Sequence, residues 1–497
     1  MITEERLPNW LKKRAELTPE RVAVEFEDRL YTFRELDELA EENARKLASV
    51  GLRPGDACAV LLRNHIDSVI MIHALFNAGI TIVMLNGRLT ARELGWQITD
   101  SESKWLISEE FFSSKLEGIA TDIPQTEILR KEKIRSLPVT AESYSQAEFL
   151  LSDAATIMYT SGTSGKPKGV IQTFGNHWWS AMGSVLNLGL SEEDCWFCAV
   201  PIFHISGLSI LMRSVIYGIR VVLAEKFDEK VANEMIMDRG VTVISVVSAM
   251  LNRMLLSLGE QRYPEHFRCM LLGGGPAPKH LLQECTRKQI PVYQTYGMTE
   301  TSSQIVTLAP EYSIKKIGSA GKPLFPSQLK IEVDGRAALK GEPGEIVVSG
   351  PNVTKGYLNR EEETKRAIKN GWLYTGDIGY LDSEGFLYVM DRRSDLIISG
   401  GENVYPAEIE SVLSLHPAVF EAGVTSKSDR MWGQVPVAFV VPFPNSQPAK
   451  AELIDFCKEQ LASYKVPGEI IFCDSLPRNS SNKLLRRELK QWLEERG

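Results

Sequence analysis

The sequence lacks the features that mark secreted, membrane-bound or nucleic-acid-binding proteins. No apolar run approaches the roughly 18 residues of a membrane helix, and the first residues lack the basic and apolar regions of a signal peptide. Positive charge is not in excess, because 56 lysines and arginines stand against 64 aspartates and glutamates, and the net charge is -8. These absences predict a cytoplasmic protein with no transmembrane segment and no nucleic-acid partner.

Cysteine is also scarce. The seven cysteines are an odd number and lie scattered between Cys58 and Cys473, which argues against a disulfide framework. Cys195 and Cys198 have the spacing of a redox or zinc pair, but no second cysteine pair or histidine cluster accompanies them. We therefore interpret both as small buried apolar residues.

The pattern of apolar residues predicts alternating helices and strands. A capping box at Thr32 and Glu35 begins a helix that ends near Gly51, and strand, helix and strand patterns follow at 57–62, 67–78 and 81–85. This rhythm is typical of parallel strands joined by crossover helices. It repeats through the middle of the chain, changes to short runs with turns from residue 317, and begins again after Asp391. With 497 residues, we expect two or more domains.

Residues 159–169 form the most informative motif, Tyr-Thr-Ser-Gly-Thr-Ser-Gly-Lys-Pro-Lys-Gly. Free backbone N–H groups, hydroxyl groups and two lysines in one loop are suited to holding a polyphosphate. The loop is not a Walker loop, because Gly162 and Gly165 are too close together and Pro167 stands where a serine or threonine would hold magnesium. A flexible Gly/Ser linker is the alternative interpretation.

A second glycine loop and three weaker motifs accompany it. Gly273 begins a Gly-Gly-Gly-Pro run after another predicted strand, and such loops gather at one crevice of a parallel sheet. Thr299 could contact a phosphate and Glu300 a magnesium ion, although Thr-Glu pairs are common on surfaces. Asp377 could accept two ribose hydroxyls or simply form an Asp turn. His204 lies among apolar residues, where a core histidine is the alternative.

The order of the motifs resembles that of the adenylate-forming superfamily, which contains acyl-CoA synthetases, luciferases and peptide-synthetase adenylation domains. The resemblance covers essentially the whole chain. It rests on the loop at 159–169 and on Pro-Ile-Phe-His at 201–204, Gly-Gly-Gly-Pro-Ala-Pro at 273–278, Tyr-Gly-Met-Thr-Glu at 296–300, Tyr-Thr-Gly-Asp at 374–377, Asp-Arg-Arg-Ser-Asp at 391–395, Gly-Gly-Glu-Asn-Val-Tyr-Pro at 400–406 and Pro-Arg-Asn-Ser-Ser-Asn-Lys at 477–483.

The resemblance implies an α/β fold with two domains. Residues 1–391 would form a large N-terminal domain of two α/β sheets with a small β subdomain at about 317–391. Residues 392–497 would form a small mobile α+β C-terminal domain. Its pivot would lie at Ser394, where the family commonly has aspartate or lysine.

The resemblance also implies roles for individual residues. Lys483, His204 and Thr299 would be catalytic, with Lys483 bridging the attacking carboxylate and the α-phosphate, and Glu300 would ligate magnesium. Gly400, Gly401 and Glu402 would contact coenzyme A (CoA). ATP would be bound by Thr160, Ser161, Gly162, Thr163, Ser164, Gly165, Lys166, Lys168, Gly273, Gly274, Gly275, Pro276, Tyr296, Asp377 and Arg392.

Four stretches, at 172–177, 201–208, 214–218 and 302–308, are similar to bacterial ligases that join o-succinylbenzoate to CoA in menaquinone synthesis. This substrate is an aromatic dicarboxylate, so its second carboxylate needs a polar partner inside an apolar pocket. The candidates for the acyl site are His204, Ser206, Thr295, Gly297, Ser302 and Ser303.

Other functions stay open at this point. An aryl- or medium-chain acyl-CoA ligase would share the mechanism, and a non-catalytic relative could keep the ATP loop as a scaffold. A peptide-synthetase adenylation domain is disfavoured because no carrier domain follows Gly497. Family resemblance alone suggests a homo-oligomer.

Overall fold

The structure is a computed structural model. It describes residues 5–140, 144–161, 167–274, 279–391, 397–404, 406–444, 446–477, 484 and 486–496. The chain divides into two compact units. The first unit comprises Met1–Gly87, Ile98–Met158 and Gly169–Met390, and the second comprises Arg88–Gln97, Tyr159–Lys168 and Asp391–Gly497.

The first sheet has seven strands, and its middle is the predicted parallel core. Ala57–Leu61 pairs in parallel with Thr81–Met84 on one side and with Trp105–Ser108 on the other. The three strands are nearly continuous apolar runs, as expected where helices cover both faces of a sheet. The strand order is Gly356–Tyr357, Pro167–Thr173, Ala154–Ser161, Thr81–Met84, Ala57–Leu61, Trp105–Ser108 and Glu127–Arg130.

The second sheet has 15 strands and is parallel over the run from Val22–Phe26 to Val292–Met298. Its order is Arg336–Ala337, Gln328–Val333, Gly344–Ser349, Trp372–Leu381, Leu387–Asp391, Ser319–Pro323, Ser303–Leu308, Val292–Met298, Cys269–Gly273, Val243–Val247, Cys195–Cys198, Arg220–Leu223, Val22–Phe26 and Arg29–Thr32, with Ile368–Lys369 paired to Trp372–Leu381.

The predicted β subdomain is joined to this sheet by hydrogen bonds. Ser319–Pro323 pairs antiparallel with Ser303–Leu308 and also with Leu387–Asp391. The approach is close because Gly321 has a φ of +103°, and a Cβ there would lie 2.0 Å from the Thr307 carbonyl oxygen. A glycine therefore allows the β subdomain to continue the second sheet.

The helices follow the predicted periodicity. Thr32 caps the helix Phe33–Ser49 with the expected capping box, in which the Thr32 hydroxyl accepts from Glu35 N and the Glu35 carboxylate accepts from Thr32 N. The other α-helices that begin in the first unit are Trp10–Leu17, Ile66–Asn77, Ser113–Asp122, Lys131–Ile134, Phe174–Leu188, Ile205–Tyr217, Glu229–Asp238, Ser248–Leu258, Lys279–Arg287 and Glu361–Ala367. No helix among the described residues is both long and apolar enough to span a bilayer.

The second unit contains a five-stranded sheet. Its strands are Glu402–Val404, Ile397–Ser399, Gly433–Pro442 and Val419–Asp429 in that order, with Glu469–Phe472 paired in parallel to Gly433–Pro442. Its helices are Ala91–Asp100, which begins in this unit, Pro406–Leu413, Lys450–Gln460 and Arg486–Glu494. This is the mixed α and β content predicted for the C-terminal residues.

All seven cysteines are free, and six of them are buried. Burial raises the pKa of the Cys198 and Cys285 thiols to about 12. Cys195 and Cys198 lie in a buried parallel strand of the second sheet. Their burial agrees with the interpretation as small buried residues.

Candidate active site

The predicted phosphate loop at 159–169 lies between two strands that are neighbours in the first sheet. Ala154–Ser161 leads into the loop and Pro167–Thr173 leads out of it. A loop this short between adjacent strands makes a hairpin, whereas a Walker loop leads from a strand into a helix. Thr160 and Lys168 are half-buried at its two ends, and Gly162, Thr163, Ser164, Gly165 and Lys166 lie outside the described residues.

The ribose candidate Asp377 is buried in the strand Trp372–Leu381. The Tyr296 hydroxyl donates a hydrogen bond to Asp377 Oδ2 at 2.7 Å, and Asp377 N donates to Thr375 Oγ1 at 3.1 Å. The Tyr296 ring packs in an apolar cluster that includes Ile305. Two of the predicted ATP residues are thus brought together, with the carboxylate held by a rigid aromatic donor.

Replacing Tyr296 with phenylalanine is expected to raise the KM for ATP about 10-fold, since a hydrogen bond to a charged group is lost while the ring packing is kept. The KM for the acid and for CoA should not change. Steady-state kinetics with each substrate varied in turn would measure this. Tyr374→Phe is the control, because its hydroxyl donates to Glu332 in the same sheet. An equal effect of both variants would contradict the assignment.

The metal candidate Glu300 lies in the turn Thr299–Thr301, between the strands Val292–Met298 and Ser303–Leu308. The Tyr357 hydroxyl donates to Glu300 Oε1 at 3.1 Å. Within the described part of the chain there is no group of three or more histidine, cysteine or acidic residues for a metal. The single carboxylate of Glu300, which follows Thr299 in the sequence, fits Mg²⁺, which is commonly bound by one or two carboxylates together with substrate phosphates.

The acyl candidates occupy different environments. His204 precedes the helix Ile205–Tyr217, with its ring centroid 4.5 Å from that of Phe203, and Ser206 is exposed in the first turn of that helix. The Thr295 hydroxyl donates to the Val306 carbonyl at 3.0 Å.

Gly297, Ser302 and Ser303 lie together at a bulge between two strands. A Cβ at Gly297 would lie 2.2 Å from the Ser303 carbonyl oxygen, so no other residue fits there. Ser302 is fully buried, and its hydroxyl has no hydrogen-bond partner within the described part of the chain. An unsatisfied buried hydroxyl next to a position restricted to glycine is suited to contact a ligand.

Arg213, which the sequence motifs did not indicate, lies beside these serines. It is only 1% exposed, and its Nη2 atom donates to Ser303 Oγ at 3.4 Å. Its guanidinium carbon lies 5.2 Å from the centre of the Trp196 ring. Among the described residues, Nε has no hydrogen-bond partner, and the groups that act on the guanidinium electrostatically are the Tyr217 phenol and the Cys269 thiol rather than a carboxylate.

Burial therefore lowers the pKa of the Arg213 guanidinium without a compensating carboxylate. Buried charges are normally paired, so this cation is suited to an anionic ligand. The signal in the sequence was a single charge in the otherwise apolar helix Ile205–Tyr217.

The CoA candidates belong to the second unit. Gly400 has a positive φ, and a Cβ there would lie 2.6 Å from the Trp432 ring. Glu402 is buried, and its Oε1 lies 2.7 Å from Arg88 Nη1. Gly275, Pro276, Arg392, Ser394 and Lys483 lie outside the described residues.

Comparison with known proteins gives the class. The family model of AMP-binding enzymes matches residues 11–358, and the family model of the AMP-binding enzyme C-terminal domain matches residues 408–483. The chain therefore belongs to the family of AMP-binding enzymes. The suggested membership in the adenylate-forming superfamily is confirmed.

The names of individual relatives indicate a more specific activity than the family does. The 2-succinylbenzoate–CoA ligase of Geobacillus kaustophilus is 59% identical over 485 residues, covering 98% of both chains. A double mutant of the Bacillus subtilis o-succinylbenzoate CoA synthetase, bound to a product analogue, is 50% identical over 98% of both chains with a TM-score of 0.93. The same synthetase with ATP and magnesium is 50% identical over 98% of this chain and 100% of that one, with a TM-score of 0.76.

Proposed function

We infer that this protein is an ATP-dependent acid–thiol ligase that activates o-succinylbenzoate as an acyl adenylate and transfers the acyl group to CoA, in menaquinone synthesis. ATP, magnesium and CoA are its cofactor and co-substrates. The observation that carries this conclusion is the 59% identity to a 2-succinylbenzoate–CoA ligase along 98% of both chains.

The chemistry fits the residues of the site. A carboxylate that attacks ATP brings two anions together, so the protein must neutralise charge and align the reactants rather than supply a base. Lys166, Lys168 and Lys483 supply positive charge in this proposal, and Glu300 with the Thr299 hydroxyl would hold magnesium. Magnesium supplies charge neutralisation on the phosphates when it is bound. The adenylate is a mixed anhydride, from which a thiol displaces AMP.

We propose that Arg213 and Ser303 bind the second carboxylate of the substrate. Ser303 lies two residues after the turn Thr299–Thr301. Its hydroxyl therefore links the buried guanidinium to the region of Thr299 and Glu300. The desolvation cost of this cation is offset when a carboxylate joins it. Of the earlier acyl candidates, Ser303 and Ser302 gain support from this arrangement, and Gly297 allows the close approach of the Ser303 backbone.

The remaining roles are kept as proposals. Asp377 and Tyr296, together with Arg392, form the nucleoside side of the ATP site, and Gly400, Gly401 and Glu402 contact CoA. Residues 392–497 form the C-terminal domain, with its pivot at Ser394. We propose a cytoplasmic enzyme, because its nucleotide and thiol substrates are found there. Family resemblance favours a homo-oligomer, which light scattering would test.

The substrate assignment is tested by supplying magnesium-ATP, CoA and one acid at a time, and measuring AMP and thioester. We expect kcat/KM for o-succinylbenzoate to exceed those for benzoate, octanoate and 4-chlorobenzoate by about 10³-fold or more, since a site built for a charged group rejects analogues that lack it. Preference for another of these acids would overturn the substrate while keeping the adenylate-forming mechanism.

A further inference from the structure

A chain of buried polar side chains leads to the turn that carries Glu300. Thr156 and Gln172 are both 0% exposed and His177 is 3% exposed. Thr156 Oγ1 lies 2.9 Å from His177 Nε2 and 2.8 Å from Gln172 Oε1, and Gln172 Nε2 lies 2.9 Å from the Thr299 carbonyl oxygen. These residues connect two strands of the first sheet and the helix Phe174–Leu188 to the turn.

Each hydrogen bond in this series of side chains has one possible direction. Gln172 donates from Nε2 to a carbonyl, so its Oε1 faces Thr156 and must accept the only hydroxyl hydrogen there. The Thr156 oxygen can then only accept from His177, which requires a proton on Nε2. Burial lowers the pKa of His177 to about 4, so the ring is neutral and carries that single proton. The amide of Gln172 is therefore fixed in one orientation.

The turn Thr299–Thr301 is held at three successive carbonyl groups. Its first carbonyl accepts from Gln172 Nε2, its second from Thr354 N at 2.7 Å and its third from Asn352 Nδ2 at 2.9 Å. Two of these donors come from one segment after the strand Gly344–Ser349, and the third, Gln172, comes from the first sheet. Gln172 thus ties the turn to that sheet.

Asn176 holds the other two donors in place. Its Nδ2 donates to the carbonyls of Pro351 at 2.9 Å and Val353 at 2.8 Å, on either side of Asn352. Its Oδ1 accepts from Thr173 N at 2.9 Å within the capping box of the helix. The stretch 172–177, which the sequence marked only by its resemblance, therefore supports the turn from both sides.

We propose that Gln172 is a positioning residue for the binding of magnesium-ATP. Through the Thr299 carbonyl it fixes the turn from which Glu300 projects, while Thr156 and His177 fix the amide that does so. The inference deepens the proposed function, since it rests on Glu300 as a magnesium ligand. Ligating carboxylates need such support, because a ligand that rotates away binds metal more weakly.

The test measures ATP binding by calorimetry, with and without Mg²⁺, on the full-length protein and its Gln172→Met and Thr156→Val variants. In the unmodified protein, Mg²⁺ should strengthen ATP binding. In Gln172→Met this strengthening should fall by about 10-fold, as is typical when a group supporting a metal ligand is lost. Binding of metal-free ATP should not change. Thr156→Val keeps Gln172 but frees its amide, so it should show the same effect to a smaller extent.

The matched control is Ser108→Ala. Ser108 is a fully buried hydroxyl of the same sheet that donates to the Leu61 carbonyl at 3.0 Å. It should lose comparable stability, measured as Tm, and keep the full effect of Mg²⁺. Should Gln172→Met fail to fold, Thr156→Val supplies the measurement.

The inference would be overturned if Mg²⁺ strengthened ATP binding by the Gln172→Met and Thr156→Val variants as much as by the unmodified protein. It would also be overturned if Ser108→Ala lost as much of this strengthening as they do. If the unmodified protein binds ATP equally well with and without Mg²⁺, Glu300 is not the metal ligand and the inference fails with it. If kinetics reveal a different acid substrate, the inference stands, because no acid takes part in this measurement.

Discussion

Replacing Lys483 with alanine is expected to lower the rate of adenylate formation by about 10³-fold or more, in line with the loss of a cation that stabilises charge in phosphoryl chemistry. Its ammonium group would offset the charge that builds up as the acid attacks the α-phosphate. The second half-reaction has no such build-up, so CoA should still form a thioester from synthetic acyl adenylate at nearly the normal rate. Rapid-quench measurements of each half-reaction would separate the two.

Lys490→Ala is the control for this variant. Lys490 is exposed in the nearby helix Arg486–Glu494, so its loss changes the net charge equally without affecting catalysis. ATP binding by Lys483→Ala should stay within a few-fold of normal, since the glycine loop and Asp377 would hold most of the nucleotide under the proposed function. Normal adenylate formation by Lys483→Ala would assign the bridging role to another cation.

Replacing Arg213 with methionine is expected to lower kcat/KM for o-succinylbenzoate by about 10²-fold to 10³-fold, since the second carboxylate would then be buried without a partner. The KM for ATP should stay the same. The variant should also have a higher Tm than the unmodified protein in the absence of ligand. A buried unpaired cation is replaced by an apolar side chain of similar length, which removes a desolvation cost.

The opposed changes in activity and stability distinguish a binding role from a structural one. Arg220→Met is the matched control: Arg220 lies in the strand Arg220–Leu223, which follows the helix of Arg213, and it forms an ion pair with Glu25 at 3.1 Å. Its loss should lower Tm and leave the preference for o-succinylbenzoate unchanged. A fall in Tm for Arg213→Met together with an unchanged substrate preference would assign Arg213 to the core of the fold.

Features encoded locally were predictable from the sequence. The helix Phe33–Ser49 is set by a capping box and an apolar stripe, and the strand Ala57–Leu61 by a continuous apolar run. The pairing that joins Ser319–Pro323 to Ser303–Leu308 is non-local and depends on the backbone freedom of Gly321, so the continuity of the β subdomain with the second sheet was not predicted.

The site shows the same division. The turn with Glu300 and the pair of Tyr296 and Asp377 lie in motifs that a reader of the sequence can recognise, although the hydrogen bond between the latter two spans 81 residues of sequence. Arg213 was missed because an arginine in a helix is ordinarily read as a surface residue, and only tertiary packing buries it. The series of hydrogen bonds from His177 to Thr299 requires two strands, a helix and the turn to meet, and it has no sequence motif of its own.

The buried cysteines have a consequence for the fate of the activated acid. An acyl adenylate acylates any accessible thiolate, and thiolate rather than thiol is the reactive form. With six of the seven thiols buried and the pKa of Cys195 raised to about 11 and that of Cys457 to about 12, the protein presents almost no thiolate of its own at neutral pH. The packing of the core thus disfavours acylation of the protein's own thiols by its intermediate.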